Sequence, residues 1–311
     1  SGKQNNLVQA FKDTQNAWEI QSSDPVKIDD ATGIKIIENG PVRVTLEMTR
    51  KVSNSVIVKH VSLYEHDPLT YGNIGLKWHD HNITLKLSFN LNLDNEYAWF
   101  EIPYAAISRK AKPKTPAEIA KFEVSAHNWV DYTDKDGSAG FSLLDNSKYG
   151  FDVKDNVMRM TLLRSPITPD PEADQGSHSI SYALYPHAGD WRAADTSRRG
   201  YEFNYTPHVI QPSKHKGKLP SSYSFFSSSP DNVALTSIKK AEDGDGWIIR
   251  FVETEGRATT ATIKLPWKPR RAVETNLIED VMKQAPAVKL KGDTLTVPLG
   301  KFEIKTIKVT L

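Results

Sequence analysis

The residues best equipped for chemistry crowd into one stretch, Ser165 to Trp191, SPITPDPEADQGSHSISYALYPHAGDW. Asp170, Glu172 and Asp174 offer carboxylates there, and His178 and His187 offer imidazoles. A glycosidase needs two carboxylates facing each other across the scissile bond, one as acid and the other as nucleophile or base. Acids at alternate positions supply one such group, and nothing in the sequence shows its opposing partner. The stretch reads equally as turn chemistry, because Asp-Pro steps are ordinary turn formers. A second cluster, KWHDHN at Lys77 to Asn82, sets His79 and His81 two apart with Asp80 between them. On a strand that spacing puts both imidazoles on one face, a candidate metal pair with no identifiable third ligand. Trp18, Trp78, Trp99, Trp129 and Trp191 complete the inventory, many of them beside polar residues. Indole faces stack on sugar rings, and they equally fill sandwich cores and sheet edges.

Other chemistries are excluded. The 311 residues include no cysteine, so there is no disulfide, no Cys-ligated zinc and no thiol nucleophile. There is no Gly-rich phosphate loop, no G-x-S-x-G elbow, and no serine in a recognisable triad context. The formal charge is +2, and the nearest basic run, SRKAKPK at Ser108 to Lys114, is broken by proline. That argues against nucleic acid and against a membrane surface as partners. No apolar run approaches the ~18 residues of a spanning helix. No basic-then-apolar leader appears, although a chain that opens on Ser1 gives that absence no weight. A cytoplasmic location is the expectation, consistent with a cysteine-free chain.

The elements that must position these residues are strands. ITLKLSFNLNL alternates, with Ile83, Leu85, Leu87, Phe89, Leu91 and Leu93 on one face and Thr84, Lys86, Ser88, Asn90 and Asn92 on the other. That pattern predicts a half-buried antiparallel strand. The same period of two runs through Val42 to Met48, Ser55 to Tyr64, Met158 to Leu163, Ser179 to Pro186, Trp247 to Glu253, Thr260 to Leu265 and Phe302 to Leu311. Asn39-Gly40, Asp136-Gly137 and Gly292-Asp293 mark turns between runs. One short helix is expected within Thr115 to Glu123, with Thr115 as N-cap and Pro116 at the first helical position. Many short strands and little helix predict an all-β chain built of sandwiches. The Pro/Ser/Lys-rich span His208 to Ser224 reads as a crossover between two domains, 1–215 and 225–311.

Several segments together resemble the C-terminal β region of the family-38 glycoside hydrolases, the retaining α-mannosidases. LVQAFKDTQNAWEI (Leu7 to Ile20), LKWHDHNITLKLSFNLNL, WFEIPYAAISRK and FEVSAHNWVDYTD are similar to successive blocks of that region. The longest match is GFSLLDNSKYGFDVKDNVMRMTLLRSPITPDPEADQGSHSISYALYPHAGDW, and NVALTSIKKAEDGDGWIIRFVETEG and KFEIKTIKV resemble the closing sandwich. The resemblance implies a large mutarotase-like supersandwich followed by a small immunoglobulin-like β-sandwich. It implies that an N-terminal α/β barrel, absent from this chain, carries the Asp nucleophile and the zinc. A helical bundle follows that barrel in the family. No catalytic residue, metal ligand or cofactor is therefore expected here, and His79 and His81 become residues of a structural strand.

The resemblance also gives the acidic loop a task. In the family, loops of the large β domain close over the barrel's active site. Asp174, Gln175, Gly176 and His178 are carried over as substrate-side contacts, and Tyr104 as a contact from a second segment. Ala105 departs from the glycine common in the family after that tyrosine. Expected partners are the barrel and bundle of the same enzyme and a mannose-containing glycan. An apolar patch of several hundred Å² is expected near Asp174–Gly176, where those neighbours would pack. Two other readings stand beside this one. One is a stand-alone carbohydrate-binding β-protein. The other is a mutarotase-like enzyme using His178 and Asp174 for proton transfer.

Overall fold

The computed structural model describes residues 5–21 and 24–311. The chain divides into two compact units, one of residues 1–102 with 107–206, the other of residues 207–311 with 103–106. In chain order the first begins with β1 (Leu7–Lys12), β2 (Pro25–Val26), β3 (Ile34–Asn39), β4 (Arg43–Val52), β5 (Ser55–Tyr64) and β6 (Thr70–Trp78). Then come β7 (Ile83–Asn90), β8 (Tyr97–Ile102), β9 (Ala105–Lys110) and a helix, α1 (Pro116–Ile119). β10 (Val124–Ser125), β11 (Trp129–Thr133), β12 (Ala139–Asp145) and β13 (Gly150–Lys154) follow. β14 (Val157–Arg164), β15 (Gly176–Ala188) and α2 (Thr196–Asn204) close the unit.

These strands make two sheets. Six pair in the order β10-β13-β14-β7-β1-β2, and nine in the order β3-β4-β5-β6-β15-β12-β11-β8-β9. The inward positions of both supply one apolar core that includes Ile57, Ile74, Trp78, Leu85, Phe89, Met160 and Tyr182. Tyr182 of β15 and Phe89 of β7 lie 6.3 Å apart by ring centroid, so the sheets meet face to face there. Gly72 makes this possible, because a Cβ on it would sit 2.0 Å from the Tyr182 ring.

β7 departs from the half-buried strand that its alternation predicts. Every residue from Ile83 to Phe89 is buried, polar face included. The strand lies between β14 and β1 in mid-sheet, and its polar side chains find partners from distant parts of the chain. Lys86 Nζ lies 2.5 Å from Glu123 and 2.9 Å from Asp152. The Thr84 hydroxyl donates to Asp13 Oδ2 at 2.7 Å. Burying a cation is tolerated only with such pairing.

α1 starts where the capping signals put it. The Thr115 side chain accepts from the Glu118 amide, the Glu118 side chain reaches back to the Thr115 amide, and Pro116 is at the first position. It is shorter than the expected span because it buries none of its residues. α2 has no counterpart in the sequence reading. It packs through Gly200, whose absent Cβ leaves room for Trp129 at 2.9 Å.

No regular element spans residues 205–226. The second unit holds β16 (Ser227–Ser229), β17 (Val233–Lys240), β18 (Trp247–Glu253), β19 (Thr259–Lys264), β20 (Arg271–Thr275), β21 (Lys289–Lys291), β22 (Thr294–Leu299) and β23 (Ile304–Thr310). They form two four-stranded sheets, β16-β19-β22-β21 and β17-β18-β23-β20, over a core of Ile249, Phe251, Ile263, Leu295, Val297 and Ile307. With four sheets and little helix, the chain is all-β.

Candidate functional site

The acidic loop joins β14 to β15. Asp170 opens its turn, accepting from the Glu172 amide at 2.9 Å through Oδ1. The Gln175 amide then donates to the Glu172 carbonyl at 3.1 Å. Asp174 and Gly176 both have positive φ, 57° and 103°. Aspartate is among the side chains that tolerate the left-handed region, and glycine adopts it without strain. A Cβ on Gly176 would meet nothing within 4 Å, so conformation and not space calls for glycine there.

Asp174 and His178 are bonded to each other, while Gln175 and Gly176, between them in the chain, bond to the β6–β7 turn and to the end of β6. Asp174 Oδ2 accepts the Arg164 amide at 3.1 Å. His178 Nε2 lies 2.8 Å from the Asp174 carbonyl oxygen. A carbonyl only accepts, so Nε2 carries the proton, and in the neutral ring Nδ1 is left as an acceptor. Gln175 Nε2 donates to the Asp80 carbonyl at 2.9 Å and lies 3.4 Å from His81 Nδ1. Gly176 pairs with Trp78 as the first residue of β15.

Arg164 fastens the chain's opening segment to this loop. Its Nε donates to Asp13 Oδ2 at 2.8 Å, and its Nη2 to the Glu19 and Asn16 carbonyls at 2.6 and 3.2 Å. The Ala17 amide meets the Thr168 carbonyl at 3.0 Å. Burial alone would raise the Asp13 carboxyl, but bonds from Arg164 and Thr84 outweigh it and hold it below the usual range. The segment presents Trp18, whose amide is fixed by Asn16 Oδ1 at 2.9 Å while the residue is 76% exposed. Of the five tryptophans singled out in the sequence, Trp78, Trp129 and Trp191 are core. Trp99 packs at a tilt against Trp191, 5.5 Å between ring centroids, with Arg192 over its face. Only Trp18 among these is free to meet a ligand.

Tyr104 takes no part in this group. It occupies the turn between β8 and β9 with φ 58°, half-exposed, in the stretch that clusters with the second unit. His79 and His81 do not share a strand face, because β6 ends at Trp78 and β7 starts at Ile83. Asp80, between them, is committed to Ser55 at 2.5 Å and to the Asn54 amide at 3.3 Å. Among the described residues no three His, Asp or Glu side chains gather as a metal cluster.

Two polar clusters escaped the sequence reading. His187 Nε2 lies 2.8 Å from Asp131 Oδ2 and 3.1 Å from Ser142 Oγ. The three residue types match a nucleophilic triad, but the wiring does not. One ring nitrogen serves both acid and hydroxyl, and the Asp131 and His187 side chains are 0% and 2% exposed. The cluster is a buried knot tying β11, β12 and β15 to Thr196 of α2, whose hydroxyl is 2.9 Å from Ser142. Gly140 leaves the space for His187 that a Cβ would occupy. The second cluster is a pair of buried carboxyls flanking Asn128. Glu101 accepts its amide at 2.6 Å, and the Asp145 amide donates to its carbonyl at 3.1 Å. Burial pushes both acids up to about 7, and Glu101 raises Asp145 further by like charge. Lys148 feels the charge of both this pair and the loop, without an ion pair to either. Burial lowers it, while Asp174 and Asp145 pull it back.

With this geometry in hand, comparison decides the lineage. Residues 1–172 match the family model described as "Glycosyl hydrolases family 38 C-terminal domain". Residues 232–307 match "Glycosyl hydrolases family 38 C-terminal beta sandwich domain". The chain belongs to glycoside hydrolase family 38. This family-38 chain is 29% identical over 330 residues to "Alpha-mannosidase G" of Dictyostelium discoideum, a match covering 99% of the chain and 29% of the relative. It is 38% identical over 172 residues to "Alpha-mannosidase" of Saccharomyces cerevisiae, covering 53% of the chain and 15% of the relative. Human "Alpha-mannosidase 2C1" is 27% identical across 95% of the chain and 29% of its own length. The chain thus spans less than a third of the curated relatives it matches. In fold it is similar to an α-mannosidase from Enterococcus faecalis V583, with TM-score 0.81, 16% identity, and cover of 97% of this chain and 38% of that one.

Proposed function

We propose that the chain is the C-terminal β portion of an α-mannosidase that hydrolyses terminal α-mannosyl linkages with retention. Its own work is to support the catalytic portion and to supply wall loops to the active site. The observation that carries this reading is the match to both C-terminal family models, in order along one chain. The side chains here suit positioning, not attack. A retaining mechanism needs two carboxyls roughly 5–5.5 Å apart and open to the sugar. Glu101 and Asp145 are buried, and Asp174 is anchored to the Arg164 amide. What remains open is a hydrogen-bonding rim: Asp174 Oδ1, Gln175 Oε1 and His178 Nδ1 for sugar hydroxyls, with Trp18 as a flat apolar platform. Tyr104 is proposed as a second contact. Walls of this kind lower a barrier by holding the sugar in register with groups supplied elsewhere. The nucleophile and a zinc ion belong, in this reading, to the upstream barrel.

The test compares the 311-residue chain with the longer product of its gene on an aryl α-mannoside, following product anomer by NMR. The longer protein is expected to turn over with retention and the chain alone not at all. In the longer protein, Asp174→Asn, His178→Ala and Trp18→Ala should raise KM and lower kcat while retention persists. Mannoside binding by the chain alone, with an inactive longer protein, would support the carbohydrate-binding reading instead.

A further inference from the structure

The nine-stranded sheet is wider than the sheet that covers it. On β5 the inner face runs Ile57, Lys59, Val61, Leu63 by its period of two. Ile57 is in the core, and Leu63 is 55% exposed. Register carries the face outward, with Val44 opposite Leu63 and Leu46 opposite Val61 on β4. Ile34 and Ile36 of edge strand β3 face Met48 and Leu46, and they are 65% and 64% exposed. Cover stops at residues 5–8, which line a cavity of about 290 Å³ with Met48, Arg50, Ile57 and Lys59. Beyond them an apolar sheet face continues with nothing among the described residues packed on it, next to an edge strand, β3, that pairs on one side only.

The face also carries an unbalanced charge. Lys59 donates to the Asn6 carbonyl at 2.5 Å, and neither it nor Arg50 has an acidic partner among the described residues. Burial, with Arg50 as a like-charged neighbour, pushes Lys59 down to about 8. Two cations left facing each other at the margin of an apolar surface call for a carboxylate from outside.

We propose that this inner face of β3–β5 seats the polypeptide that family-38 relatives carry ahead of their C-terminal region, and that the seated segment sets an Asp or Glu against Arg50 and Lys59. Two things favour this occupant. The relatives extend to more than three times this chain's share of their length, and the matched family models are C-terminal ones. The opening residues 5–8 lie along the margin where the cover ends. A monomer rarely leaves such a contiguous apolar face in water. The inference rests on the proposed function, which supplies the partner.

The chain has no cysteine, so single thiols can report on the face. Ile36→Cys and Val44→Cys would be placed in the 311-residue chain and in the longer protein, with Asp136→Cys in an exposed turn as the control. Peptide-resolved maleimide labelling is then read in each. Labelling at 36 and 44 should slow at least about tenfold in the longer protein, where reaction requires local opening, while 136 stays fast. Arg50→Glu in the longer protein should restore labelling. Equal labelling in both forms of an active longer protein would overturn the docking alone. Protection in an inactive longer protein would keep the docking and sink the mannosidase reading. Concentration-dependent protection of the 311-residue chain, with dimer in sedimentation, would make a second copy the occupant and overturn the proposal.

Discussion

Arg164 shows how much one side chain can determine. It sits at the end of β14, its amide held by Asp174 and its guanidinium by Asp13 and backbone carbonyls of Asn16, Ala17 and Glu19. The ion pair is nearly closed to water, with side chains 14% and 2% exposed. Removing one partner of such a pair strands the other charge, at a cost of about 3–5 kcal/mol. Arg164→Ala should therefore destabilise the chain by about that amount in denaturant unfolding, and free the segment around Trp18 to proteolysis. A loss below ~1 kcal/mol, with the segment still protected, would show the tether to be incidental. Neither Arg164 nor Asp13 was legible as important in the sequence. They lie 151 residues apart, and no local spacing signals such a pair.

Strands are where sequence pattern and structure agree best. Ser55–Tyr64 and Trp247–Glu253 fall on β5 and β18 to the residue, because alternation and turn signals are local properties. The alternation of β7 found its strand but mistook its surroundings. Lys86 reads as a solvent-facing residue until Glu123 and Asp152 are brought over it. Lys86→Ala should cost about 3–5 kcal/mol by leaving Glu123 buried with only the Thr161 hydroxyl, while Asp152 keeps Arg159. The triple change Lys86→Met, Glu123→Gln, Asp152→Asn should recover much of that, as thermal unfolding of both variants would register. α2 was missed because its helix former pattern is weak: SRRGYEFN carries no apolar stripe, and its position is set by Gly200 against Trp129. The loop group was half legible. Its residues were named from a family pattern, whereas the His178 tautomer, the Trp18 exposure and the place of Tyr104 follow only from tertiary contacts. The apolar surface expected beside Asp174 is confined there to single side chains such as Trp18 and Ile167, and the broader exposed face lies on β3–β5.

At the scale of the whole molecule, the buried acids set a pH dependence. Unfolded, Glu101 and Asp145 lose their protons near pH 4; folded, each does so near 7. Between those values the native state holds more protons, so stability falls as pH rises. Asp13 acts in the opposite sense, its contribution fading as pH drops below about 4. The melting temperature should be higher at about pH 5 than at about pH 8, and Glu101→Gln with Asp145→Asn should flatten the difference. A profile that rises from 5 to 8 would contradict the protonated assignment. The tether at Arg164 has one more consequence, and it concerns time. Asp13 is made 151 residues before its partner. At roughly 5–20 residues per second, a ribosome leaves it waiting for roughly 8–30 s. Through that interval β1 first lacks its neighbour β7, and β7 in turn lacks β14, which completes the middle of the sheet. The nascent chain therefore carries an unfinished sheet through a large part of its synthesis, and the surface around Trp18 is among the last features of this unit to take shape.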